Sequence, residues 1–551
     1  MIYTDVKVPM PDKKTIFRLN KKYGINYVYY TIKAYRNEAG KPTSKVLGIG
    51  KKDEKTGLLI PNDNYYKLFG NNKTTTTEII PTYNISSNIV TIGNVPTGKE
   101  KCPKKVMTIG TSIAFMEIAK QTKLLETLQK CFPTKWKQLL STVFYMLSQG
   151  NVMAYIDDWF DVTKVDFVDR YSDVVCSRLF ASLTEEELHL FFTEWMACRS
   201  EQEHIIYDVT SISSYSQNID MLEFGYNRDC DNLPQINFGL FYGLTSKMPV
   251  YYQIYNGSIP DKSSFQYMML NANDVGIQNV SVVFDKGSVT QDNISFMYEN
   301  NYSFITAMSC SSADAVNLID EIKGTVEKRR NWIKDYGVFG VQCTAKLYGH
   351  DVQAHIYFSN EKRAHELKVI DSQIEKLAKE LEKVNNSKLV TQRFKDIFNI
   401  TEHSKSSLTF TEDEDKIDEK MSRAGYFILL SSNQNLSSEE VLNIYRNKDV
   451  IEKNFDQFKN PLDFKRIKTH YNQTTEGRFF VGFLALILRS FMSHTIRSNK
   501  VLRKHTFEKV LLELKKIRSV TMANNQEILM PLTKTQKDIL AGLNVAVSLL
   551  I

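Results

Sequence analysis

The stretch IIYDVTSISSY, residues 205–215, places an aspartate at the end of an apolar run and follows it with small polar residues. Ile205 and Ile206 read as buried strand positions, and Asp208 stands where that strand would leave a core. The pattern returns in VSVVFDKGSVTQDN, where Val280, Val282, Val283 and Phe284 lead into Asp285. The separation, 285 − 208 = 77 residues, holds two further strands and a helix, so the two aspartates can end neighbouring strands.

Working outward, IIYDVT, NFGLFYGLT, PVYYQIYNG, VSVVFD and YSFITAM are five short apolar or aromatic segments between residues 204 and 310. Helical candidates, FQYMMLNANDVG and QDNISFMYENN, separate the third from the fourth and the fourth from the fifth. That order predicts an α/β mixed sheet, three antiparallel strands followed by parallel additions. Residues 1–100 read as a β-rich module, with a hairpin in YVYYTIKAYRNEAGKPTSKVLGIG and a polar connection in NNKTTTTE. Its lysines would either touch nucleic acid or leave the module in a supporting role. Residues 101–203 read as a helical domain, with Thr184 as an N-cap before three glutamates.

Residues 311–411 read as an insertion with β and helical-hairpin segments. Leu367, Ile370, Ile374, Leu377 and Leu381 recur at three- and four-residue steps, predicting an apolar helix seam closed within the chain. TEDEDKID, from Thr411, reads as a surface turn. Residues 412–495 return to the core, with Ser437 or Ser438 capping the helix SSEEVLNIYRNKDVIEKNFDQFK, and residues 496–551 form a C-terminal helical region. Within that helix Tyr445, Lys448, Glu452 and Lys459 fall at intervals of three, four and seven, which predicts one shared face. Glu452 thus becomes the third carboxylate. Asn256, Gly257 and Asp261 read as turn chemistry, and Asp292 with Asn293 as a helix start.

Three carboxylates of this kind suit hard divalent cations, Mg²⁺ before the softer transition metals, held for phosphoryl transfer. Lys448 and Lys459 could clamp phosphate oxygens beside them. A formal charge of +7, from 70 basic and 63 acidic residues, hints at a polyanionic partner. FKRIKTH, which holds Lys465 and Arg466, reads either as phosphate-facing surface or as an ordinary solvated segment. With 42% hydrophobic and 24% charged residues the chain reads as a folded, soluble protein. Seven cysteines without a C-x-x-C pair argue for a reducing interior and against a zinc module, and His350 and His355 read as structural. FFVGFLALIL, residues 479–488, is too short at ten residues to span a bilayer, so it reads as a buried helix of a cytoplasmic protein with no membrane partner.

The chain resembles the DDE transposases of bacterial insertion sequences, in the group marked by Y-x2-R-x3-E-x6-K. The match is Tyr445-x2-Lys448-x3-Glu452-x6-Lys459, with YDVTS, GLTSKMPVYYQIYNGSIPD and VVFDKGSVTQDN preceding it in the family's order. The resemblance implies a ribonuclease H-like core with an insertion domain. It implies catalytic, metal-binding roles for Asp208, Asp285 and Glu452, with two Mg²⁺ ions that Mn²⁺ can replace. DNA-phosphate contacts would come from Tyr445, Lys448, Lys459, Lys465 and Arg466. Double-stranded DNA with terminal inverted repeats, target DNA and a second copy of the chain on paired ends are the implied partners, inside a bacterial cell. The alternatives are a metal-dependent nuclease that cuts without joining and a catalytically inactive DNA-binding descendant. Two departures are Lys448, where arginine is usual, and SRAGYF at residues 422–427, where relatives commonly carry an acid before the glycine.

Overall fold

The computed structural model describes residues 7–11, 15–20, 25–36, 42–54, 56–69, 103–199, 204–278, 280–384, 390–404 and 407–550, in two compact units, Met1–Thr91 and Ile92–Ile551. The first unit is a meander in which strands Thr15–Asn20, Ile25–Arg36, Pro42–Lys52 and Leu59–Pro61 pair antiparallel in sequence order. Val28, Ile49 and Leu59 form its core, with Tyr65 and Phe69 of the helix Asp63–Phe69 packed on it. The hairpin anticipated between residues 25 and 52 is present. Its turn, and the segment NNKTTTTE, lie outside the described residues.

The second unit is built on a nine-stranded sheet. Its strands are β1 (His204–Ser213), β2 (Gln235–Gly243), β3 (Met248–Asn256), β4 (Ser281–Phe284), β5 (Ser303–Met308), β6 (Trp332–Ile333), β7 (Val338–Leu347), β8 (His350–Phe358) and β9 (Tyr426–Ser431). The spatial order is β6-β7-β8-β9-β5-β4-β1-β2-β3. β1, β2 and β3 are antiparallel, while β4 and β5 add in parallel beside β1. This 3-2-1-4-5 arrangement is the ribonuclease H-like mixed sheet anticipated from the five apolar segments. The helices α1 (Asp261–Asp274) and α2 (Gln291–Glu299) fall where expected, the latter capped by Thr290, whose hydroxyl accepts from Asn293 N–H.

Residues 311–411 do not interrupt this sheet cleanly. β7 and β8 pair antiparallel with each other, and β8 pairs with β9, so half of the insertion widens the core sheet. The remainder is a satellite around α3 (Asn360–Leu381), whose seam of Ile370, Ile374 and Leu381 packs on Phe394, Ile397, Phe398 and Ile417. The cover is a strand hairpin, Phe398–Ser404 with Ser407–Glu412, and the helix Glu414–Ser422, not a second long helix. TEDEDKID is therefore a helix start: Asp413 accepts from Lys416 N–H, and Glu414 and Asp415 sit at the helix's positive end.

Six helices between Gly110 and Ala197 share one continuous hydrophobic core with the sheet, through α6 (Asn472–Ser498). Thr184 forms a full capping box with Glu187. At 27 residues α6 is long and apolar enough to cross a membrane, well beyond the ten residues of FFVGFLALIL, so length does not exclude a span. Burial decides instead: 83% of its most apolar window is enclosed by the protein, as a helix apolar on all sides requires. The C-terminal region mixes helices with strands Arg518–Met522 and Glu527–Leu529, the first of which pairs with Pro103–Thr108.

Candidate active site

Sheet register brings the two aspartates together. In the parallel pair β1–β4, Ile205 faces Val282 and Ile206 faces Val283, a constant offset of 77. Extending it by two residues sets Asp208 level with Asp285, on backbones about 4.8 Å apart. β1 is buried along almost its whole length, and Asp208 is the half-buried exception in its middle. One Asp208 oxygen accepts from Val209 N–H at 2.9 Å. Burial pushes the Asp208 carboxyl pKa up, against the downward pull of Lys448, the Val209 amide and Arg228. Asp285 caps a short 3₁₀ turn, and its Oδ1 accepts from Lys286 N–H at 2.8 Å.

Glu452 arrives from the other side. The anticipated single helix is two, α4 (Ser438–Arg446) and α5 (Asp449–Lys459), with Asn447 and Lys448 between them. Ser437 and Glu440 close a capping box at the start of α4. At the break, the Asn447 side-chain amide donates to Asn443 O, and Lys448, Val450 and Ile451 N–H bond three residues back rather than four. An asparagine side chain competing for backbone carbonyls is a recognised helix terminator. Tyr445, Lys448, Glu452 and Lys459 therefore do not share one helix face: Tyr445 lies in the last turn of α4, Lys448 is the N-cap of α5, and Glu452 lies in its first turn.

Aromatic packing fixes α5. The Phe458 ring stacks on Phe238 of β2 at 4.7 Å and 3° and on Phe464 at 4.2 Å, and Phe479 of α6 closes the group. With Ile451, Phe455 and Phe458 turned inward, Glu452 stands about a quarter-turn round the helix and is exposed. Asp208, Asp285 and Glu452 then line one cavity of ≈ 510 Å³, together with Tyr226, Arg228 and Asp261. No cysteine or histidine lines it, so every side-chain donor able to take a metal is a hard oxygen, which suits Mg²⁺ or Mn²⁺ and not zinc. Among the described residues no three His, Cys, Asp or Glu side chains stand close enough together to enclose an ion in this conformation.

The basic residues singled out from the sequence are placed differently from one another. Lys448, only 8% exposed, points into the acidic site with its ammonium 3.3 Å from Asp285 Oδ1. Lys459 is 9% exposed and donates to both oxygens of Asp229 at 2.9 Å. Arg466 pairs with Asp231 at 2.8 Å, and Lys465 is exposed. Tyr445 is half-buried; burial, and then the Asp285 and Asp208 carboxylates, push its hydroxyl pKa well up, so it stays a neutral donor. The reading of Asp261 as turn chemistry alone misses that it lines the cavity and forms an ion pair with Arg228. Arg228 itself was not singled out. The signal was the charged run NRDCD directly after FGY, whose importance rests on pairings formed 30 or more residues away.

His350 stacks on Tyr298 and meets Ser295, and His355 is buried against Ser438, both as structural residues. No curated protein matches the chain significantly. The cryo-EM structure of the piggyBac transposase synaptic complex with hairpin DNA resembles it at a TM-score of 0.36 and 10% identity, over 74% of this chain and 78% of that one. The description of the transposase DDE domain matches residues 199–488, just over half of the 551 residues and the span that carries β1, β4 and α5. By that match the chain belongs to the transposase DDE domain family.

Proposed function

We propose that the protein is the transposase of a bacterial insertion sequence, cutting the inverted-repeat ends of its element and joining the freed 3′-hydroxyls to target DNA. The observation that carries this reading is the convergence of Asp208, Asp285 and Glu452 on one cavity, from two adjacent parallel strands and a following helix. Asp208, Asp285 and Glu452 would hold two divalent cations, Mg²⁺ or in its place Mn²⁺, closing inward to do so. Bound there, such cations supply activation of the attacking oxygen and charge stabilisation at the leaving oxygen.

The chain's own residues do the rest. Lys448 neutralises Asp285 and keeps two carboxylates on neighbouring strands compatible in the free protein. Arg228, held by Asp261, sets a positive fork at the cavity wall that matches a phosphate. Tyr445 donates a hydrogen bond from beside the carboxylates. Lys465 and Arg466 extend the positive surface along the bound strand, positioning it without reading sequence. Two copies acting on paired ends are the simplest working assembly.

The test uses purified protein, Mg²⁺, labelled duplex carrying the element's terminal repeats and an unlabelled target. Repeat-dependent cleavage and joined product, both lost in Glu452→Gln, are expected. Cleavage without joining would make the protein a nuclease, and end binding with no metal-dependent product would make it an inactive descendant.

A further inference from the structure

The loop between β1 and β2, residues 214–234, holds two of the cations that the DNA reading assigns to phosphates. Asp229 takes Lys459 through both oxygens at 2.9 Å, and Asp231 takes Arg466 at 2.8 Å. Both pairs lie just past the end of β1, where Ser213 pairs with Arg466 in a short parallel bridge and Ile467 N–H donates to Ser213 O at 3.1 Å. The loop is seated firmly there. Asn227 Oδ1 accepts from the Asp229 and Asp231 amides at 2.8 and 3.4 Å, and its Nδ2 donates to Ser213 Oγ at 3.0 Å. At Gly225 a Cβ would lie 2.0 Å from the Gly257 carbonyl oxygen, so the loop backbone is pressed against the β3–α1 turn.

A buried ammonium needs an anion at all times, because stripping it of a partner leaves an uncompensated charge out of water. Lys459 sits in such a place, and burial pushes its pKa down despite Asp229. A carboxylate and a phosphate present similar oxygen pairs to a cation. We propose that Asp229 and Asp231 are phosphate surrogates: in the free protein they hold Lys459 and Arg466 in place, and two phosphates of a bound DNA strand displace them. The aspartates are positioning residues, and their charge sets how tightly DNA must bind to open the pairs. The inference rests on the DNA-binding reading above.

The test measures binding of the full chain to a labelled duplex by fluorescence anisotropy between 50 and 200 mM salt, for wild type and Asp229→Asn/Asp231→Asn. Asparagine keeps an acceptor oxygen for each cation and removes the competing charge. Tighter binding is expected, about five- to tenfold at the lowest salt, with the slope of log K against log salt unchanged, because the same phosphates are neutralised in both complexes. Lys459→Gln should abolish the gain from Asp229→Asn alone. Equal or weaker binding overturns the proposal, since purely structural bridges would give that result, and a slope that steepens by about 0.9 per cation overturns it too, since the wild-type pairs would then stay closed in the complex. Should the double variant melt early, Asp231→Asn alone carries the test, because the Arg466 side chain is 26% exposed against 10% for Lys459. Wild type that fails to bind duplex at any salt would overturn the DNA reading too, whereas wild type that binds without the gain overturns only this proposal.

Discussion

Phe458→Ala removes the ring that fixes the third carboxylate. Phe458 is fully buried, stacked on Phe238 at 4.7 Å and Phe464 at 4.2 Å, with Phe479 at 6.1 Å. Truncating a buried phenylalanine costs about 3–5 kcal/mol. The upper half of that range applies here, because two close stacks are lost as well, each contributing about 0.5–1.5 kcal/mol beyond burial. The second unit spans 551 − 91 = 460 residues. At about 2.1 cal/mol/K per residue its unfolding entropy is about 1 kcal/mol/K, so the melting temperature should fall by about 4–5 °C. Scanning calorimetry supplies that number, and single-turnover cleavage supplies the functional one. Because α5 carries both this stack and Glu452, cleavage should fall at least tenfold at a temperature where both proteins are folded. Phe458→Leu, which refills most of the volume, should recover most of both. A melting shift below 1 °C, or full cleavage in Phe458→Ala, would refute the claim that the stack positions Glu452.

Other outcomes follow from packing and burial elsewhere in the protein. A Cβ at Gly477 would lie 2.2 Å from the Phe180 carbonyl oxygen, so Gly477→Ala should cost about 3 kcal/mol or more and yield little folded protein on expression. His355 is fully buried, and burial holds its pKa down to about 4, against about 6.5 when unfolded. The unfolded chain binds the extra proton between those values, so stability is lost as pH falls from 6.5 to 4, by up to about 3 kcal/mol. His355→Gln should flatten that part of a melting-temperature profile relative to wild type. Asp208 has the opposite sign: its pKa is raised in the folded protein, so its ionised form opposes folding at neutral pH. Asp208→Asn should raise the melting temperature at pH 7.5, lose that advantage as pH falls, and abolish cleavage.

Five strands of the core sheet, and the acids that close two of their apolar runs, are written in local pattern. Apolar runs ending in Asp208 and Asp285 are local patterns, and their 77-residue offset equals the register of β1 against β4 because neighbouring parallel strands advance together. The capping boxes at Thr184 and Ser437 were legible for the same reason, since a cap is closed by residues three positions apart. Tertiary structure decided the rest. The periodicity of residues 438–459 fits one helix as well as two, and the break at Asn447–Lys448 shows only when α5 is seated on Phe238 and Phe479. The seam of α3 announces an apolar face but not its cover, because a hairpin and a helix bury such a face equally well. Composition shows that Lys448, Lys459 and Arg466 are cations. Which anion holds each was fixed only by folding, because Asp285, Asp229 and Asp231 lie 163, 230 and 235 residues away along the chain (448 − 285, 459 − 229 and 466 − 231) and a few ångströms away in space.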